Sequence, residues 1–148
     1  MLLILVFGTV ASQSAQNAST ASDKLDRHAS MVGLVRTINT LEVTEISQYG
    51  SSEPWPILLV HHQEDFNSWL KRFYSSNEPN VQFRDAPEIL PEWNLRLNVQ
   101  ADGKGWVLLL SDASDKTGLA WVSDESGIIR ECNTIEVATS APCARELS

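Results

Sequence analysis

Apolar positions Met31, Leu34, Val35, Ile38, Leu41 and Ile46 recur at helical spacing, and Leu25 extends the stripe upstream. Thr20 or Ser22 can cap such a helix, Asp23 suits its first turn, and Gly50 suits its end. The pattern predicts one helix over 22–49, about 40 Å long at 1.5 Å per residue. "SSEPWP" then interrupts the chain. Leu58, Leu59, Phe66, Trp69, Leu70 and Phe73 predict a second helix over 56–75, with Pro56 in its first turn. Pro79, Pro87 and Pro91 predict an irregular connection over 77–92.

Beyond Trp93 the period changes to two. "NLRLNVQ", "WVLLLS", "LAWVS" and "IIREC" read as strands, separated by the turn sequences "DGKG", "DASDKTG" and "DESG". Segregated helices and strands predict an α+β domain: a long N-terminal helix on a four-stranded antiparallel meander, with an intervening helix and loop. By helical spacing, Arg36, Asn39 and Glu42 fall off the apolar stripe, where solvent or a neighbouring subunit would meet them.

The first residues, "MLLILVFGTV", followed by the polar linker "ASQSAQNASTAS", read as the apolar core and cleavage region of a secretory signal peptide. The run is shorter than the roughly 20 apolar residues of a membrane span, so no transmembrane anchor is expected. The division expected is residues 1–21 as signal-like segment and linker, and 22–148 as one domain. Export predicts an extracytoplasmic protein: periplasmic, cell-surface or secreted. It also decides the chemistry of the two cysteines, Cys132 and Cys143. Outside the cytoplasm they close a small loop as a disulfide, and in a reducing compartment they stay thiols.

A formal net charge of −8 opposes a phosphate backbone and argues against nucleic acid as a partner. His61 and His62, with Glu64 and Asp65, lack the i, i+4 spacing of helical zinc ligands and read as solvated or capping residues. The turn residues Asp102, Asp112, Asp115, Asp124 and Glu125 offer oxygens suited to Ca²⁺, but no calcium-loop pattern accompanies them and aspartate favours turns. No cofactor, metal ligand or catalytic residue is therefore assigned. No G-x-S-x-G, P-loop or G-x-G-x-x-G occurs, which predicts a non-enzymatic chain. Trp55, Trp69, Trp93, Trp106 and Trp121 suit core packing, with an interface as the next use.

Two stretches carry a family resemblance. "VGLVRTINTLEVTEISQYG" resembles the segment of bacterial type IV pilin-like proteins and pseudopilins where the long N-terminal helix enters the globular head. "WVSDESGIIREC" is similar to the strand–turn–strand ending of those heads. The prepilin leader ending in Gly, and the long apolar helix with Glu at its fifth position, have no counterpart here, so the resemblance is to the head alone. It implies an exported structural or interaction protein of type IV pilus or type II secretion assembly, with pilin or secretion-system subunits as partners. It also implies a C-terminal disulfide loop, which Cys132 and Cys143 would supply. The alternative function is a secreted small-ligand or glycan-binding module using the tryptophans and turn carboxylates.

Overall fold

A computed structural model describes residues 11–73, 80–115 and 117–133. The apolar run 1–10 and Cys143 lie outside these residues, and with them the signal-peptide reading and the disulfide. The chain divides into two compact units, Met1–Ser30 and Met31–Ser148. The helical residues Ala11–Tyr49 (α1) belong in part to each.

In the first unit, residues 11–22 are helical rather than the expected linker. The reason is local. No Gly or Pro occurs between Ala11 and Val32, and extending an existing helix costs far less than nucleating one. In the second unit α1 ends as expected. Gly50 adopts φ +88, and its N–H donates to the Ile46 carbonyl at 3.0 Å, a stop that a Cβ would strain. Thr37, Thr40 and Thr44 are accommodated by donating their hydroxyls to the carbonyls of Gly33, Arg36 and Thr40.

The second predicted helix is two. α2 (Trp55–His61) follows Pro54, whose carbonyl accepts from Ile57 and Leu58, and α3 (Gln63–Phe73) follows after His62. His62 leaves the helical region at φ −116, ψ 33, and the chain turns a corner there.

The strands are β1 (Glu88–Leu90), β2 (Trp93–Val99), β3 (Trp106–Asp112), β4 (Leu119–Asp124) and β5 (Arg130–Asn133). They form one antiparallel sheet in the order β1-β2-β3-β4-β5. The expected meander is present with an additional edge strand. β1 has three residues between Pro87 and Pro91, too short to display a period. β5 begins at Arg130, two residues later than the apolar pair Ile128–Ile129 suggests, and Ile128 is 53% exposed.

Met31, Leu34, Val35 and Ile38 of α1 are fully buried and share one core with Trp106, Leu108, Leu110 and Trp121 of the sheet. The helix stripe thus packs on the meander. α2 and α3 add Trp55, Leu58, Phe66, Trp69 and Leu70 to the same core. Trp55 and Phe66 meet edge to face at 5.1 Å, as do Phe66 and Phe83. On the opposite sheet face Leu109, Ala120, Val122 and Cys132 form a second buried cluster. Period two makes this unavoidable, because Leu109 points away from Leu108 and Leu110.

Candidate functional site

The C-terminal half of α1 carries polar side chains into the core. Asn39 is 7% exposed, and Glu42 and Glu45 are fully buried, so the expectation of an outward polar face fails at Asn39 and Glu42 and holds for Arg36. The signal was in the spacing. Glu42 lies four residues after Ile38 and Glu45 four after Leu41, so both continue the buried stripe.

Asn39 joins helix to sheet. Its Oδ1 accepts from Trp106 Nε1 at 3.1 Å, and its Nδ2 donates to Ser123 Oγ at 2.7 Å. Ser123 in turn donates to the Ile128 carbonyl at 3.0 Å, which ties the β4–β5 turn to the same node. An amide, with both a donor and an acceptor, is the side chain able to serve both neighbours.

Glu42 and Glu45 form the second node. Glu42 Oε2 accepts from the Glu53 backbone N–H at 2.9 Å, anchoring the segment before α2. Its Oε1 and Glu45 Oε2 are buried without a hydrogen-bond partner among the described residues. Burial raises the Glu42 carboxyl to about 7, Glu45 and Glu53 add repulsion in the same direction, and the Glu53 N–H opposes them. Glu45 Oε1 faces two imidazoles: His61 Nδ1 at 3.1 Å and His62 Nε2 at 2.7 Å. The other His62 nitrogen lies 3.4 Å from Asp65 Oδ2.

The expectation of solvated or capping histidines is met in part, with His61 exposed and His62 capping α2, but both rings also turn to Glu45. Adjacent residues on one helix point about 100° apart. The corner at His62 removes that restriction and lets both rings reach one oxygen. Tyr49 packs beside His61 with ring centroids 5.9 Å apart. Among the described residues, no group of three or more His, Cys, Asp or Glu is placed to hold a metal ion. The cluster holds two carboxyls inside the fold beneath the His61–His62 corner.

The turn carboxylates stabilise their own turns. Asp102 accepts from the Lys104 N–H at 2.9 Å and Asp115 from the Thr117 N–H at 2.8 Å; Asp112 and Asp124 accept from the Ser114 and Ser126 N–H groups, each at 2.9 Å. The five tryptophans are at most 5% exposed and build core.

Two hollows open on the other side of α1. A groove of about 530 Å³ lies between α1 and α3, with Arg36, Arg72, Asp65, Trp69 and Phe73 among its lining residues. A second, of about 470 Å³, lies between Arg36, Val43 and Gly127 of the β4–β5 turn. No helix among the described residues is long and apolar enough to cross a membrane. Comparison with protein families, with curated proteins and with solved structures finds no match to this chain.

Proposed function

We propose that this chain is a non-enzymatic, extracytoplasmic structural or interaction protein of the pilin or pseudopilin kind, acting in type IV pilus or type II secretion assembly. The observation that carries the reading is the arrangement of α1. Within the second unit, the Met31–Leu41 stripe of α1 lies on an antiparallel meander, with α2 and α3 inserted between helix and sheet in chain order. The polar side chains further support a non-catalytic role. Asn39, Glu42, Glu45, His61 and His62 spend their hydrogen bonds on joining elements to one another.

The test is a photo-crosslinking amino acid at Val43, which is 55% exposed on α1, introduced into the gene in its own host. Irradiated cells should yield adducts with pilin-like or secretion-fibre subunits, identified by mass spectrometry. Adducts that contain no such subunit, together with normal pili and normal secretion after deletion of the gene, overturn the proposal.

A further inference from the structure

We propose that the corner between α2 and α3 is a proton-operated latch with His62 as its sensor. The doubly protonated ring ties Asp65 of α3 to Glu45 of α1, and the singly protonated ring lets Asp65 go. The device is regulatory and is independent of the assembly role.

A neutral imidazole has one N–H and one lone pair, whereas an imidazolium has two N–H groups and accepts nothing. Both nitrogens of His62 face carboxylates. Nε2 lies 2.7 Å from Glu45 Oε1, and Nδ1 lies 3.4 Å from Asp65 Oδ2. A neutral His62 that donates to Glu45 turns its lone pair on Asp65, so two acceptors face each other. A second proton converts that contact into attraction and sets a positive charge beside both carboxylates.

His61 reaches the same oxygen but is placed differently. Its Nδ1 lies 3.1 Å from Glu45 Oε1, and among the described residues its other nitrogen has no carboxylate within ion-pair distance. One N–H satisfies that arrangement, and the neutral ring supplies it. The His61 side chain is 43% exposed and that of His62 13%, so water and salt screen the His62 contacts less. Glu45 itself is fully buried, and among the described residues the two imidazoles are the basic groups within ion-pair distance of it. The titratable groups facing His62 are therefore Glu45 from α1, His61 from α2 and Asp65 from α3. Glu42 stands beside Glu45, Glu53 beside Glu42, and the Tyr49 ring packs against His61.

Position gives the latch its consequence. His62 is where the backbone leaves the helical region between α2 and α3, and Asp65 is in the first turn of α3. The contact with Asp65 closes the corner, and the contact with Glu45 fixes the corner to α1. Asp65 also lines the groove between α1 and α3 together with Arg36 and Arg72. Imidazole rings change charge at about pH 6.5 in water, so the Asp65 contact is present on the acid side and lost as pH rises. On the alkaline side the released carboxylate is left to the groove.

The test is hydrogen exchange of the full chain, read as protection factors of the amides of residues 67–73 at about pH 5.5 and about pH 7.5. Four proteins are compared: native, His62→Gln, Asp65→Asn and His61→Gln. Glu42 titrates in all four, so differences among them belong to the latch. From the lower to the higher pH, native α3 should lose roughly fivefold more protection than α3 in His62→Gln or Asp65→Asn. His61→Gln should follow the native protein. Near-UV circular dichroism shows that each variant is folded. If His62→Gln is not, Asp65→Asn decides by the same comparison, because that side chain is 60% exposed. A native loss no larger than that of the folded His62→Gln or Asp65→Asn protein overturns the latch. A His61→Gln protein whose loss is as small as theirs overturns the assignment of His62 as the sensor.

Discussion

Replacing Glu42 by Gln removes one titrating group from the core and keeps its shape. The native carboxyl is raised from an ordinary value of 4.5 to about 7, with burial as the largest cause. Between those values the folded protein holds a proton that the unfolded chain releases. Stability from this group is therefore fully present below pH 4.5 and is lost as pH rises through about 7. The groups facing Glu42 are Glu45 on its own helix and Glu53 on the segment before α2; His61 and His62 approach through Glu45. A displacement of that size corresponds to about 3 kcal/mol, at 1.36 kcal/mol per pH unit.

The assay is urea unfolding followed by tryptophan fluorescence, with native protein and Glu42→Gln compared at several values between about pH 4.5 and 8. Every other titrating group contributes to both proteins, so the difference between them isolates Glu42. The variant should gain stability relative to the native protein as pH rises, by about 3 kcal/mol across the range, or roughly 10 °C in melting temperature. A difference that stays flat to within about 0.5 kcal/mol, or that grows towards acid, refutes the assignment of a neutral, buried carboxyl.

Other substitutions test the remaining joints. Asn39→Ala removes the partner of Trp106 Nε1 and of Ser123 Oγ, and should cost about 2–3 kcal/mol in urea unfolding. Leu34→Ala empties a fully buried position between helix and sheet, with an expected loss of about 2–5 kcal/mol. Gly103→Ala meets two obstacles, φ +68 and a Cβ 2.9 Å from that of Ser51, whereas Gly127→Ala meets only φ +72 with open space around it. Thermal unfolding should rank Gly103→Ala as the more damaging, with Gly127→Ala costing about 1 kcal/mol. Equal losses would show that the Ser51 approach is relieved without cost.

The sequence by itself determined the elements whose residues repeat. Met31, Leu34, Val35 and Ile38 mark a helix at any depth in a fold, and the alternation in β2 with the Gly-containing turns marks a meander. These are properties of backbone period, and α1, β2, β3 and β4 were legible for that reason. Gly50 could also be read as a stop, because only glycine adopts its φ of +88 at little cost. Short or irregular pieces escaped. β1 has no room for a period, and nothing local distinguishes His62 as the corner that divides α2 from α3.

Only the tertiary structure decided what the polar residues do. Glu42 and Glu45 are acidic by composition, and composition places acids in water. Their phase on α1 places them in the core, and the fold resolves the conflict by supplying the Glu53 N–H and the two imidazoles. Those partners come from 11 to 17 residues away, across a helix end and a corner. Asn39 reaches its partners across 67 and 84 residues. Periodicity is a local property and survives in the one-dimensional chain. Hydrogen-bond partnership and charge burial depend on which distant groups meet, and that is fixed only when the helix lies on the sheet.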